Sequence, residues 1–165
     1  MKTLLIVTLC MLSLGASSQA EDKNGFRITV QKTTLERDDV RGTDIYSDRI
    51  DRMLGLKVAI KNISMKEKPE SNVEYAIIVS RWGYSTPRYE KYAGTEKLPA
   101  LKPQVEQDMT LGKARIGGYA GYANKRYQDK IEGWQISIKE GATPTIIQSG
   151  ANYTRLAEKS VAPAT

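Results

Sequence analysis

The chain has 165 residues, a formal net charge of +6, no histidine and a single cysteine, Cys10. Without histidine the sequence excludes Ser-His-Asp triads, histidine zinc sites and the usual proton shuttle at neutral pH. The modest positive charge permits attraction to an acidic surface, but it argues against nucleic acid as the partner of an exported protein.

Residues 1–20 have the order of parts of a secretory signal peptide. Lys2 supplies the charged start, LLIVTLCMLSL the apolar run, and Ser18-Gln19-Ala20 a small-x-small cleavage site. Leu9 is bulky where a lipid-attachment signal has a small residue before the cysteine, which disfavours lipidation of Cys10. Cleavage removes Cys10, so the mature protein has no disulfide, thiolate metal site or cysteine nucleophile. The sequence predicts export to the periplasm, the outer-membrane surface or the medium, without a transmembrane segment.

The apolar residues after the signal recur at every second position, which is the period of a β-strand. The alternation is most regular in FRITVQK, from residue 26, and in LGLKVAIKN, from residue 54. VEYAIIVSRWGY, from residue 73, is apolar on both faces and predicts a central strand. We assign both tryptophans, Trp82 and Trp134, to the core, since Trp134 shares its parity with Ile136 and Ile138.

Two further stretches complete the predicted fold. VEQDMTLGKARI keeps Val105, Met109 and Leu111 on one parity, and EGWQISIKEGATPTIIQ predicts a hairpin that turns near Gly141. About seven short strands predict an all-β antiparallel sandwich or a small barrel. Residues 33–53 are expected to form a long charged loop, with or without a short helix, between the first two strands. One domain is predicted over residues 21–157, followed by a disordered tail at 158–165.

Several of these stretches together resemble a bacterial immunoglobulin-like domain. They are LGLKVAIKNIS, in which a strand ends in Asn-x-Ser before a polar turn, the Trp-bearing strand, LPALKPQVEQDMTL and GWQISIKEG. More narrowly, residues 26 to 156 resemble small secreted proteins of Akkermansia, from a gene neighbourhood associated with type IV pili. The resemblance implies an immunoglobulin-like sandwich and a pilus association, and it rests on no fixed catalytic or ligand motif. The cysteine pair of antibody domains is absent.

Acidic residues are concentrated in ERDDVRGTDIYSDRID, which raises the question of a calcium site. Its carboxylates do not follow the calcium-loop spacing, and interspersed arginines would neutralise them. The residues are Asp38, Asp39, Asp44, Asp48 and Asp51 among the acids, and Arg37, Arg41, Arg49 and Arg52 among the bases. We expect a solvated loop with ion pairs, with no metal and no cofactor. Nothing in the sequence places two carboxylates together for glycoside hydrolysis, so we expect no catalytic residues and no enzymatic activity.

Six tyrosines fall between residues 84 and 127, interleaved with lysine and arginine. The stretch IGGYAGYANKRY, residues 116–127, is predicted to be an end loop of the sandwich, where such folds place binding residues. The candidate binding residues are Tyr84, Tyr119, Tyr122, Arg126 and Tyr127. Tyrosine and arginine are enriched at protein interfaces, so the sequence predicts a non-enzymatic interaction module with a protein partner of the cell envelope or pilus machinery. The alternatives are a mobile connection, a host-surface contact, and a carbohydrate-binding module that uses exposed tyrosines.

Overall fold

A computed structural model describes residues 19–40, 48–120, 126–140 and 143–163 of the chain. These residues form an all-β fold with one short helix. The strands are β1 (Gln19–Lys23), β2 (Phe26–Arg37), β3 (Asp48–Asn62), β4 (Ser71–Arg81), β5 (Arg88–Leu98), β6 (Glu106–Ala120), β7 (Arg126–Gln128), β8 (Lys130–Glu140), β9 (Thr143–Ser149) and β10 (Ser160–Val161), and the helix is α1 (Tyr153–Ala157).

The strands form two five-stranded sheets. The first has the order β1-β2-β3-β6-β7 and the second the order β10-β5-β4-β8-β9. Neighbouring strands pair antiparallel, except β10, which runs parallel to β5. Both sheets contribute to one cluster of buried apolar side chains, so the fold is a two-layer β arrangement around a shared core.

The core contains the residues that the alternation predicts. Phe26, Ile28 and Val30 of β2 are buried, and so are Leu56, Val58 and Ile60 of β3 and Leu111 of β6. Trp134 is 7% exposed and belongs to this core, as predicted. The prediction of a central strand is also confirmed, since β4 lies between β5 and β8.

The second apolar face of β4 is covered by α1. Ala76 and Ile78 pack with Tyr153 and Leu156 of the helix, which explains why this strand is apolar on both faces. The alternation did not indicate α1, because five residues are too short to display a helical period. Within the described part of the chain, no helix has the length and apolar character needed to cross a membrane.

The assignment of Trp82 to the core is wrong. Its side chain is 44% exposed. β4 ends at Arg81, so the alternation of the strand no longer applies at residue 82. Val105, expected on the apolar parity of β6, is also exposed, because it precedes the first residue of that strand.

Most of the described residues of the loop expected at residues 33–53 are strand instead. β2 continues to Arg37, β3 begins at Asp48, and the two strands remain paired up to the Arg37 and Arg52 positions. The extension was missed because ion pairs, rather than alternating apolar residues, line it. Arg52 Nε and Nη2 both donate to Asp39, and Arg37 Nε donates to the same carboxylate at 2.6 Å.

The described residues form ten strands where about seven were predicted. The longest one missed is β5, whose residues facing the other sheet include Glu90, Gly94 and Glu96 rather than an apolar series. The missing bulk is supplied from β4, because the ring of Tyr75 lies against Gly94, where any Cβ would overlap the phenol. β10 lies within residues 158–165, the predicted tail, and pairs with Tyr89 and Glu90.

A β-bulge in the first sheet makes room for the same tyrosine. The register of β3 and β6 shifts between Leu54 and Leu56, where Gly112 adopts a φ of 70°. A Cβ on Gly112 would stand 2.5 Å from Ile77 Cδ1 and 3.0 Å from Tyr75 Cε2. Glycine is therefore required here both by the left-handed backbone and by the packing of the two sheets.

Candidate functional site

Three aromatic side chains form an exposed cluster at the end of the fold where β4 finishes. Trp82 lies 5.8 Å from Tyr119 and 5.6 Å from Tyr127 between ring centroids. Each of the three side chains is between 44% and 49% exposed. We refer to Trp82, Tyr119 and Tyr127 as the aromatic cluster. Exposed aromatic groups of this size are typical of interaction surfaces.

Strand register places the two tyrosines together. Tyr119 of β6 is the direct partner of Tyr127 in β7 and of Arg49 in β3. Directly opposed residues of antiparallel strands share a face, so Arg49, Tyr119 and Tyr127 form a row across three strands. The row ends against Trp82, which approaches from the second sheet.

The backbone beneath the cluster is fixed by Asp129, the residue between β7 and β8. Its carboxylate accepts hydrogen bonds from the Trp82 amide at 2.8 Å and from the Gly117 amide at 3.0 Å. The Asp129 amide in turn donates to the Gly117 carbonyl at 2.9 Å. A single buried carboxylate thus joins the end of β4 to the first sheet.

Arg81 lies at the centre of a half-buried polar group that also contains Glu90, Tyr92 and Asp129. Its guanidinium donates to Glu90 Oε2 from Nε at 2.7 Å and from Nη2 at 2.5 Å, and to Asp129 Oδ2 from Nη1 at 2.6 Å. It also donates to the Tyr92 hydroxyl and, at 2.9 Å, to the Arg115 carbonyl. These five contacts match the five N–H donors of a guanidinium, so Arg81 is fully satisfied by the protein itself.

The electrostatic setting of this group is consistent with a structural role. Burial acts to lower the pKa of Arg81, but the hydrogen bonds that Arg81 donates to Glu90 and Asp129 outweigh it and leave that pKa above its usual value. Burial raises the pKa of Tyr92, against an opposing effect of the Arg81 charge. Arg81 is therefore charged and lies between two carboxylates, and these three side chains cover this end of the core.

A pocket of about 350 Å³ adjoins the aromatic cluster. We call it the arginine pocket, and its lining is Arg49, Ile50, Asp51, Arg81, Arg115, Gly117, Gly118 and Tyr119. Asp51 accepts from Arg115 Nε at 2.8 Å and from Nη2 at 2.5 Å, and Arg49 Nη2 lies 3.7 Å from the same carboxylate. The hydrogen bond from Arg115 lowers the pKa of Asp51, whereas burial raises it. The hydrogen bond has the larger effect, so this pKa lies below its usual value.

The acidic stretch pairs with arginines, as the sequence predicts. Asp39 is held by Arg52 and Arg37, and Asp51 by Arg115 and Arg49. The side-chain hydrogen bond from Arg52 is the largest influence on Asp39, and its pKa lies far below the usual range despite the opposing effect of burial. Across the described ranges no three acidic side chains converge on a point that could hold a metal ion. Asp44 lies outside the described residues.

A second pocket, of about 420 Å³, lies on the outer side of the second sheet. Three adjacent strands line it, through Lys91 of β5, Glu74 of β4, and Gln135 and Ser137 of β8, together with Tyr153 of α1. Glu74 is paired with Lys139 at 2.6 Å. This pocket is polar and lies on the sheet surface, and its lining lacks an exposed aromatic anchor of the kind found in the aromatic cluster.

The predicted binding residues have different positions in the structure. Tyr119 and Tyr127 come together in the aromatic cluster. Tyr84 is exposed but pairs with Arg88, whose guanidinium lies 5.3 Å from the ring centroid. Tyr122 lies outside the described residues, and Arg126 is in β7 with a side chain that is also outside the described part.

Sequence reasoning missed Trp82, Arg49 and Arg115 as site residues. The signal available for Trp82 was its position immediately before Gly83, in the run RWGYSTP, where glycine and proline mark a turn rather than a strand. No sequence signal indicated Arg49 and Arg115. Their proximity depends on the pairing of β3 with β6, which are separated by more than forty residues along the chain.

The site combines paired carboxylates with exposed aromatic and cationic groups. The carboxylates Asp39, Asp51, Glu90 and Asp129 are all engaged by arginines. What the site presents to solvent is an aromatic surface next to guanidinium groups. That combination is typical of the energetically dominant residues of protein interfaces.

Comparison with known proteins gives remote similarities. No protein-family model and no curated protein matches the chain. A protein of solved structure from Akkermansia muciniphila is similar at 10% identity and a TM-score of 0.41, over 88% of this chain and 84% of that one. A target of the Northeast Structural Genomics Consortium is similar at 12% identity and a TM-score of 0.36, over 73% and 92%. A beta-D-glucoside glucohydrolase from Trichoderma reesei is similar at 12% identity and a TM-score of 0.32, over 76% of this chain but 18% of the enzyme.

Proposed function

We propose that the protein is a non-enzymatic, exported binding module of the bacterial cell envelope that contacts a protein partner through its aromatic cluster. The observation that carries this proposal is the exposure of Trp82 against Tyr119 and Tyr127. Burying exposed aromatic side chains in an interface releases more free energy than burying most other surface residues. The link to type IV pilus assembly or adhesion comes from the sequence resemblance alone.

We further propose that the domain is immunoglobulin-like, and its strand order supports this. In such sandwiches the first, second and fifth strands share one sheet, and the third, sixth and seventh share the other. Among the seven longest strands, β2, β3 and β6 are the first, second and fifth, and they are adjacent. The third, sixth and seventh are β4, β8 and β9, which are adjacent in the other sheet. The fourth, β5, lies beside β4, whereas the seven-strand constant-type order places it in the first sheet.

The end of the sandwich is a better candidate surface than the edges of the second sheet. β9 is the outermost strand of its sheet and contains Pro144, which has no N–H to donate to an added strand. On the opposite side of that sheet, β10 pairs with the first residues of β5. At the second sheet, strand addition from a partner is therefore less favoured than contact through the aromatic cluster.

The ring geometry favours a protein over a sugar as partner. The plane of Trp82 is inclined by 67° to that of Tyr119 and by 44° to that of Tyr127. A carbohydrate-binding module that stacks pyranose rings on a flat platform needs coplanar aromatic side chains. Inclined rings instead form a ridged surface, which suits the irregular side chains of a protein.

A pull-down from envelope extract tests the proposed function. Tagged wild-type chain is compared with Trp82→Ala and with Met65→Ala, because Met65 is 86% exposed and follows β3, at the end remote from Trp82. We expect mass spectrometry to identify one envelope protein retained by the wild type and by Met65→Ala. Loss of a hot-spot aromatic is expected to reduce its capture by about tenfold or more in Trp82→Ala.

Three outcomes would contradict the proposal or one part of it. Equal capture by Trp82→Ala would exclude the aromatic cluster as the contact surface. Glycan-array binding that is lost in Tyr119→Ala, without a protein partner, would favour the carbohydrate-binding alternative. Deletion of the gene with unchanged pili and unchanged adhesion would remove the pilus link.

A further inference from the structure

We propose that the arginine pocket and the aromatic cluster form one composite site for an acidic peptide segment of the partner. In this site a peptide carboxylate contacts Arg49 and Arg115, and an adjacent apolar side chain packs on Trp82, Tyr119 and Tyr127. The inference rests on the proposed function and adds the chemistry of the partner.

Tyr119 makes the two surfaces continuous. It lines the arginine pocket and contacts the ring of Trp82. Strand register puts Arg49 on one side of it and Tyr127 on the other. Neighbouring strands are about 4.8 Å apart, so the backbones of Arg49 and Tyr127 lie about 10 Å from one another across the row. Side chains two residues apart on an extended peptide point to the same face and start about 7 Å apart, so one peptide can reach both ends of the row.

Arg115 is preorganised for an anion. Asp51 holds it through Nε and Nη2, and this fork-like pairing uses two of its five N–H donors. The side chain is nevertheless 70% exposed, so its remaining donors are accessible in the pocket. Fixing a guanidinium in advance reduces the conformational entropy lost when a ligand binds.

The charge of the pocket favours an acid over a base. Its lining includes three arginines and one aspartate. Arg81 is compensated by Glu90 and Asp129, so the cations available to a ligand are Arg49 and Arg115, which share Asp51. Asp38 also acts electrostatically on Arg115. The resulting field is moderately positive, and we expect weak binding of a single peptide, with a Kd between micromolar and millimolar.

The inclined rings favour a peptide over an acidic glycan. An acidic polysaccharide would need sugar rings to stack beside the arginines, whereas the three aromatic planes differ in orientation. A peptide can place its acidic and apolar side chains independently. The acidic glycan therefore serves as the competing outcome of the experiment.

The test uses an array of nine-residue peptides in which a central phenylalanine is flanked by glutamate at each position in turn. A matched array carries glutamine in place of glutamate, and soluble polygalacturonate serves as the acidic-glycan probe. Tagged full chain is applied as wild type, Arg115→Gln, Arg49→Gln, Trp82→Ala and Lys57→Gln. Lys57 is the charge-matched control, because it is exposed on β3 outside the pocket and pairs with Asp108.

We expect glutamate peptides to bind the wild type and Lys57→Gln equally, and to bind each arginine variant about tenfold more weakly. Glutamine peptides should bind the wild type about as weakly as glutamate peptides bind Arg115→Gln. Arg49→Gln leaves the Arg115–Asp51 pair intact, and an unchanged unfolding midpoint in that variant separates lost binding from lost folding.

Equal binding of glutamate and glutamine peptides, lost in Trp82→Ala, would overturn the acidic preference and leave the proposed function standing. Binding of polygalacturonate that depends on Arg115, without peptide binding, would overturn the peptide assignment in favour of an acidic glycan. Absence of binding to every peptide and to polygalacturonate would overturn the inference, whereas the proposed function is judged by the pull-down.

Discussion

The backbone amide of Trp82 donates a hydrogen bond to Asp129 Oδ1 at 2.8 Å, while the indole ring of the same residue is 44% exposed. The main chain of Trp82 is thus tied into the fold, and its side chain is left for contacts outside the core. Asp129 also holds Gly117 and Arg81. The aromatic cluster therefore rests on a rigid base, which is what a binding surface needs.

The two tryptophans should respond very differently to truncation. We expect Trp134→Ala to lower the free energy of unfolding by about 3–5 kcal/mol, since it removes a buried aromatic side chain and leaves a cavity. Trp82→Ala should cost about 1 kcal/mol or less, because only its contacts with Tyr119 and Tyr127 are lost. Urea unfolding measures both values, and comparable losses in the two variants would contradict the surface position of Trp82.

Asp129 should be the carboxylate whose removal is most damaging at this end of the fold. We expect Asp129→Ala to reduce the free energy of unfolding by about 3–5 kcal/mol, since it leaves Arg81 undercompensated and two backbone amides without their acceptor. Asp108→Ala is the control, because Asp108 is exposed and lies 3.5 Å from Lys57. It should change stability by about 0.5 kcal/mol or less. Similar urea midpoints for the two variants would rule out a central role for Asp129.

Gly112 should tolerate a methyl group less well than Gly83. Both have a positive φ, of 70° and 94° respectively, so alanine strains the backbone at either position. Only at Gly112 would the added Cβ meet Ile77 and Tyr75, whereas Gly83 has nothing within 4 Å. We expect losses of about 1–2 kcal/mol for Gly83→Ala from backbone strain, and about 1–3 kcal/mol more for Gly112→Ala from overpacking. Thermal or urea unfolding would contradict this if both variants lost the same amount.

The ion pair of Asp39 with Arg52 should make stability depend on pH. The pKa of Asp39 is lower in the folded protein than in the unfolded chain, chiefly because Arg52 donates hydrogen bonds to it. Its stabilising contribution is therefore complete above the ordinary aspartate pKa of about 3.9 and is lost as the pH falls toward the folded value. We expect the difference in unfolding free energy between wild type and Asp39→Asn to be largest at neutral pH and to shrink below about pH 4.

Urea titrations at several pH values measure that difference directly. The control is the same substitution in an Arg52→Gln background. Asp39→Asn should change the unfolding free energy little there, because Arg52, the main partner of Asp39, is already absent. A difference that stays constant from neutral pH to pH 3 would contradict the assigned ion pair.

Part of the candidate site was visible in the sequence. The clustering of tyrosines with lysine and arginine indicated Tyr119 and Tyr127. The end loop expected at residues 116–127 was wrong for its described residues, because they belong to β6 and β7. Trp82 was misassigned because the alternation was extended one residue past the strand that ends at Arg81. The period-2 alternation cannot reveal where a strand ends when an apolar residue, here Trp82, directly follows the last strand residue.

The sequence by itself determined the all-β class, the alternating core of β2, β3 and β4, and the burial of Trp134, since period-2 alternation directly records which face of a strand avoids water. Only the tertiary structure decided that β5 is a strand, because its missing bulk is supplied by Tyr75 from a neighbouring strand. It also decided that Arg49, Arg115 and Trp82 surround Tyr119, since strand pairing and the crossing from one sheet to the other bring together residues that are distant along the chain. Local patterns report burial, whereas a site on the surface is assembled by long-range pairing that no local pattern encodes.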